Sequence, residues 1–404
     1  MTVSRAHRLG ALLLAAVLAA GGCGDATVVP SAASVPSARA SAAPGTAAPS
    51  AAATAALTPA PTIAPPPTEP PLILPPLEQL IGQRLVITLD SATPSAAVLG
   101  RIRRGEVGAV ILFGAHTTSA VSLAALTAKL HKAAADGGQP PLLVMTDQEG
   151  GIVRRLGWAP PVISVWQMGK TLDEDGVRAL GSETGEALAA VGIDSDLAPV
   201  ADVPVSKSAF MYLDRRVFSF DSAVAAQLSG AFADGLLSAG VLPSMKHFPG
   251  IGRAIRNTDQ YVAVISASRA AMEADLAPYR SAIAAGVPMI MLSNAVYPIW
   301  DPNNGAGWSP AIIDGLLRNE LGFTGVTITD SLDGAASSRR VSERSLALRA
   351  AQAGADFLLL TGSEKTTAGS YALLLAAARD GRLSTDALLV SYERILALKA
   401  SFGK

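Results

Sequence analysis

From about residue 75 onward, short apolar runs alternate with stretches of helical periodicity, and this rhythm restricts the fold more than any other feature of the chain. The runs are Leu85–Asp90, Val107–Gly114, Leu142–Asp147, Ile193–Pro199, Val241–His247, Met289–Asn294, Gly325–Asp330 and Phe357–Thr361. Amphipathic candidates lie between them at Ser119–Ala134, Val177–Val191, Ser222–Ser238, Arg269–Ala284, Ser309–Leu321 and Arg340–Ala351, and a last one, Leu383–Ala400, follows the eighth run. Strands that are apolar almost throughout are buried on both faces, which implies a parallel sheet covered by helices. Eight such units in roughly 330 residues fit a (β/α)8 TIM-type barrel with some long loops. A doubly wound open sheet is the structural alternative. No Gly-x-Gly-x-x-Gly follows the first run, which weakens a dinucleotide-binding reading.

The chain upstream has a different character. Arg5, His7 and Arg8 form a positive region, Leu9–Ala20 is apolar but short for a membrane span, and Ala20-Gly21-Gly22 leads into Cys23. This resembles a bacterial lipoprotein signal, with Ala20 where Leu is usual. The resemblance implies cleavage before Cys23, a diacylglyceryl thioether on its sulfur and a protein held on the cell membrane, facing outside the cytoplasm. An ordinary secretory signal with an incidental cysteine is the plainer reading. Residues 24–74 are mostly Ala, Pro, Ser and Thr and cannot bury enough surface to offset their ordering entropy. The expected organisation is a signal at 1–22, a lipid-anchored disordered linker at 23–74 and one catalytic barrel domain at 75–404. Cys23 is the sole cysteine, so no disulfide forms within the chain. The net charge of −1, without a basic patch, argues against nucleic acid. Four histidines, one of them in the leader, make a multi-histidine zinc centre improbable.

In a barrel the working residues sit at the carboxyl ends of the strands. Run three ends Thr146-Asp147-Gln148-Glu149-Gly150-Gly151, run five ends Lys246-His247 before Phe248-Pro249-Gly250, and run seven ends Thr329-Asp330-Ser331. The loop after run four carries Asp214-Arg215-Arg216-Val217-Phe218-Ser219. Each could be a solvated loop charge alone; together they point to one polar pocket. Carboxylates, an amine and a guanidinium, without a metal cage or phosphate loop, suit a polyhydroxylated ligand. Glycoside cleavage needs one group to trap an oxocarbenium-like centre and another to protonate the leaving oxygen. Asp330, at the tip of a rigid strand, is the nucleophile candidate, with Lys246 keeping it ionised. An acid on a mobile loop can approach the leaving group after the sugar enters, and Asp259 lies on such a loop.

Five ordered stretches carry a family resemblance: Thr146–Gly151, Leu197–Val203, Arg216–Ser219, Lys246–Gly250 and Gly325–Asp330. Together they resemble glycoside hydrolase family 3 over about residues 76–400, and the single-domain length resembles its bacterial β-N-acetylglucosaminidase (β-N-acetylhexosaminidase) branch. That resemblance implies a retaining mechanism with a covalent glycosyl-enzyme on Asp330. It also implies that Asp147, Arg155, Arg216, Lys246 and His247 hold the N-acetylglucosamine ring on the non-reducing side of the scissile bond. No cofactor or metal is implied. The implied ligands are N-acetylglucosamine-containing glycans or muropeptides from peptidoglycan, and the chain is expected to be a monomer.

The chain departs from that pattern in five places. The branch's loop normally carries Asp-Ser-His, whose His is the acid/base; here the aligned residues are Asn257-Thr258-Asp259. Ile251, Ile152 and Asn294 stand where His, Arg and His are common, and Ser331 where a second Asp often follows the nucleophile. Asp259 could act as the acid/base if a closed apolar site raised its proton affinity, or it is simply a turn residue. Three functions follow: a surface-anchored β-N-acetylhexosaminidase, a catalytically impaired lipoprotein that binds wall sugars, or a hydrolase of another β-glycoside. Against the last stands the absence of the C-terminal α/β domain usual among the family's glucosidases.

Overall fold

The computed structural model describes residues 74–401; the expected signal, Cys23 and the tether up to residue 73 lie outside the described residues. Eight parallel strands form the central sheet of the described residues: β1 (Leu85–Ile87), β2 (Ala109–Ile111), β3 (Leu143–Thr146), β4 (Ser195–Asp196), β5 (Leu242–Phe248), β6 (Met289–Leu292), β7 (Val326–Thr329) and β8 (Leu358–Leu360). Neighbours pair in chain order, β8 pairs with β1, and a parallel bridge from Ile328 to Phe357 closes the ring between β7 and β8. This is the expected (β/α)8 barrel, and every strand falls within its predicted run, apart from Phe248, one residue past the end of the fifth.

Alternation along the strands explains why the runs read as continuously apolar. Val86, Ile111, Met145, Met291, Ile328 and Leu359 point inward and pack on one another. Their neighbours Leu85, Val110, Val144, Ile290 and Leu358 point outward and pack under the helices. Ile395 and Leu398 of the C-terminal helix Thr385–Ser401 join the inner cluster. Both faces of each strand therefore leave water, which favours Val, Ile and Leu at every position.

The helices Ser222–Ser238 and Arg269–Ala284 match their predicted bounds, and Ala311–Glu320 is wound as a π-helix inside the predicted Ser309–Leu321. Six α-helices of the described residues lie outside the predicted stretches: Leu77–Gly82, Ala96–Arg103, Val165–Thr171, Phe210–Leu213, Leu332–Arg339 and Glu364–Arg379. Leu332–Arg339 reads Leu-Asp-Gly-Ala-Ala-Ser-Ser-Arg and has almost no intrinsic helical preference. It forms because Ser331 caps it, accepting from the Gly334 amide, and because Leu332, Ala335 and Ala336 are buried on one side.

The seam between β7 and β8 is held by Asp356. Its Oδ2 accepts from the Thr327 amide at 2.9 Å, from Thr327 Oγ1 at 3.0 Å and from Arg318 Nη2 at 2.6 Å. A buried ion pair that loses one partner leaves an uncompensated charge. Asp356→Ala should therefore lower the unfolding free energy by about 3–5 kcal/mol, read as a lower urea midpoint. A loss under about 1 kcal/mol would show that the seam does not depend on this carboxylate.

Candidate functional site

The same alternation that builds the core builds the site. Two residues beyond inward-facing Met145 and Ile328, the next inward positions are Asp147 and Asp330; on β5 they are Ser244 and then Lys246. A cavity of about 540 Å³ opens at this end of the barrel, floored by Ile111, Met291 and Leu359. Asp147, Arg155, Arg216, Lys246, His247, Asp259 and Asp330, the residues singled out from sequence, all line it. The volume falls in the ordinary range for a small-molecule site. Among the described residues, no group of three His, Cys, Asp or Glu side chains could hold a metal ion.

Lys246 is the centre of the charge network. Its ammonium lies 2.7 Å from Asp147 Oδ1 and 2.7 Å from Glu149 Oε1. Glu149, fully buried, accepts two parallel bonds from Arg216, both at 2.8 Å. Arg155, more exposed at the rim, lies 3.7 Å from Asp147. Glu149 reaches this position because Gln148–Gly150 pairs antiparallel with Val153–Arg154. That hairpin is pinned by Gln148, whose amide nitrogen donates to Asp196 Oδ1 at 2.8 Å and whose side chain bonds Leu156 and Pro160. Burial opposes the Glu149 charge, but Arg216 and Lys246 outweigh it and hold the carboxyl well below the usual range. Burial likewise opposes the Lys246 charge, and Asp147 and Glu149 reverse the effect, raising its proton affinity. Beneath the cluster, burial pushes Asp196 up to about 8.

His247 reaches the cavity beside Lys246 because the pairing of β5 with β6 shifts between Met245 and Phe248. Its Nδ1 faces Asp202 Oδ2 at 2.8 Å. Asp202 Oδ1 also accepts from the Ile251 amide at 2.7 Å, so one buried carboxylate orients the imidazole and anchors the start of the loop that bears Asp259. A second anchor follows: Arg253 donates to Asp275 Oδ2 at 2.7 Å and to the Ala271 carbonyl at 2.6 Å.

Asp330 accepts from the following amide, Ser331, at 2.7 Å. Its carboxyl is pushed up to about 7, first by burial and then by the Asp259 carboxylate, against the pull of His247 and Lys246. Asp259 sits on the facing loop, its backbone amide bonded to Asn257 Oδ1 at 2.9 Å. Two carboxyls thus face one cavity and interact electrostatically, one on a strand tip and one on a loop. Glu149 and Asp202 were quoted inside the sequence motifs yet not singled out. Their signal was a carboxylate two residues past Asp147 and another just past run four, and neither shows from sequence which cation it meets.

The model of the glycosyl hydrolase family 3 N-terminal domain matches residues 77–398. A β-hexosaminidase of Nitrosomonas eutropha is 35% identical over 284 residues, covering 68% of this chain and 80% of that protein. The structure of a glycoside hydrolase family 3 β-N-acetylglucosaminidase from a Paenibacillus species superposes with a TM-score of 0.78 at 30% identity, covering 81% of this chain and 63% of that one. The β-N-acetylhexosaminidase of Beutenbergia cavernae gives a TM-score of 0.74 at 34% identity, covering 80% of this chain and 98% of that one.

Glu149→Gln would leave Arg216 and Lys246 undercompensated. A carboxyl whose folded proton affinity is depressed adds stability that is fully present above its unfolded value of 4.5 and is lost as pH falls below it. The wild type should exceed Glu149→Gln by about 2–4 kcal/mol at neutral pH, and urea melts should show this gap shrinking as pH drops below 4.5. A gap independent of pH would contradict the assignment. On its fold, its ordered motifs and its relatives, the chain belongs to glycosyl hydrolase family 3 and is a glycoside hydrolase.

Proposed function

We propose that the protein is a retaining β-N-acetylhexosaminidase that removes β-linked N-acetylglucosamine from peptidoglycan-derived fragments. The observation that carries this reading is the pair of carboxyls facing one cavity, Asp330 on the tip of β7 and Asp259 on the loop after β5. The sugar ring is held by Asp147, Arg155, Arg216, Lys246 and His247, whose pairing with one another or with Glu149 and Asp202 keeps each donor and acceptor in place before substrate arrives.

In the first step Asp330 attacks the anomeric carbon while Asp259 gives its proton to the leaving oxygen; the glycosidic bond breaks as the ester to Asp330 forms. In the second, Asp259, now ionised, takes a proton from water, the water oxygen attacks the anomeric carbon, and Asp330 leaves as carboxylate. Lys246 and His247 near Asp330 favour its charged form, and burial with Asp259 opposes it. The leader-like residues before Cys23 and the Ala/Pro-rich stretch after it support an exported, lipid-anchored protein acting outside the cytoplasm.

The test compares an aryl β-N-acetylglucosaminide with a GlcNAc–MurNAc disaccharide. Asp330→Ala should lose roughly 10⁴-fold or more on both. Asp259→Ala should lose about 10²–10⁴-fold on the disaccharide and far less on the aryl substrate, whose leaving group needs little protonation. Turnover of neither substrate by the wild type, with measurable sugar binding, would leave a wall-sugar-binding lipoprotein.

The pH profile supplies a separate check. Because Asp330 must be ionised to attack and is raised to about 7, kcat/KM for the aryl substrate should climb with pH through neutrality. Asp259→Asn removes the neighbouring carboxylate, so this acid limb should move to lower pH. An upward or absent shift would mean that the two carboxyls do not interact in the working enzyme.

A further inference from the structure

We infer that Asn294 is the positioning residue for the Asp259 carboxyl, its amide tying the acid-bearing loop to the strand end that carries the nucleophile. The inference rests on the reading of Asp259 as acid/base.

Asn294 lies two residues beyond β6 and is buried. Its Nδ2 donates to the Ser331 carbonyl at 3.2 Å and to Asp259 Oδ1 at 3.4 Å, one amide proton toward each. A backbone carbonyl only accepts, so Ser331 sets which way the amide points, and the group turned to Asp259 is a donor. Asn294 Oδ1 is buried with no partner among the described residues. The amide thus keeps both donors on the two catalytic segments while its acceptor goes unused. Its own backbone is held from behind: Arg339 donates to the Asn294 carbonyl at 2.6 Å and stacks on Trp308 at 4.7 Å.

The loop meets the same elements at a second point. A Cβ on Gly334, in the first turn of the helix after Asp330, would lie 3.1 Å from Asp259 Cβ and 3.3 Å from its carbonyl oxygen. Close approach at a side-chain-free position and the Asn294 amide together set the distance between loop and nucleophile. The titratable and charged groups of the elements packed here are Asp330 at the end of β7, Lys246 and His247 on β5, Asp333 and Arg339 on the helix Leu332–Arg339, and Arg253 and Arg256 on the loop itself. A donor aimed at a carboxylate favours its charged form, the one that takes a proton from water in the second step.

The experiment uses the whole protein, the GlcNAc–MurNAc disaccharide, and the variants N294A, N294H, D259A and N294A/D259A. N294A should lower kcat about 10-fold with KM within about twofold, and the basic limb of kcat/KM should move to higher pH. N294H, whose Nδ1–H can stand where the amide N–H stood, should restore part of kcat. In the D259A background N294A should add no more than about twofold, because the partner it positions is gone. An equal loss with and without Asp259, or an unmoved pH profile with no rescue by N294H, would overturn the inference. If D259A leaves disaccharide turnover intact, the acid/base reading itself fails. If D259A is slow while N294A keeps the wild-type kcat and pH profile, only the role of Asn294 fails.

Discussion

The Lys246 ammonium is buried, and a buried charge must be paired or it is expelled. Much of the barrel's working end follows from that requirement. Asp147 from the end of β3 and Glu149 from the hairpin behind it converge on Lys246, and Arg216 from the loop after β4 closes on the far side of Glu149. Three separate segments are thereby locked at one height. Asp147 and Arg216 are partnered on one side and keep an accessible side toward the cavity, so a polyhydroxylated ligand meets an acceptor and a donor that need no rearrangement. The desolvation cost of assembling these charges is offset by their mutual attraction and by bidentate geometry, and removing any one member leaves the others stranded.

Around this rigid base the two proposed catalytic carboxyls are supported unequally. Asp330 directly follows β7 and continues its inner face beyond Ile328. Asp259 stands on a loop whose start is fixed by Asp202 and by the Arg253–Asp275 pair, whose end is tied to Val296 through Ala263 and Ile265, and whose Asp259 itself meets Asn294 and Gly334. A nucleophile must be in line with a fixed anomeric carbon, which suits a strand tip. A proton donor must yield space for entry and departure of the leaving sugar, which suits a segment anchored at its base and lightly held at its tip.

Much of the site was legible from residues alone, because strand alternation is local. Once eight buried runs are recognised, the polar residues that end them must face the mouth, and Asp147, Lys246, His247 and Asp330 do so. Glu149 was hidden because its place depends on a two-residue hairpin pairing rather than on a strand run. Asp202 was hidden because the strand before it is short and irregular, with only Ser195–Asp196 in regular pairing. The helix Leu332–Arg339 was missed because its own residues do not favour a helix, and the cap and buried face that stabilise it come from its surroundings.

The chain's period and order therefore sufficed for the barrel and for which residues stand at its open end, since both follow from burying alternate side chains of short parallel strands. The folded structure alone decided the partnerships: which carboxylate meets which cation, that Asp202 serves both His247 and the loop, and that Asn294 faces Asp259. The contacts of Lys246, Arg216, Asp202 and Asn294 join residues 35 to 99 positions apart, and no local propensity acts over such a distance. They arise only when the strands are in register and their ends share one cavity, where the cost of an unpaired buried charge selects the pairing.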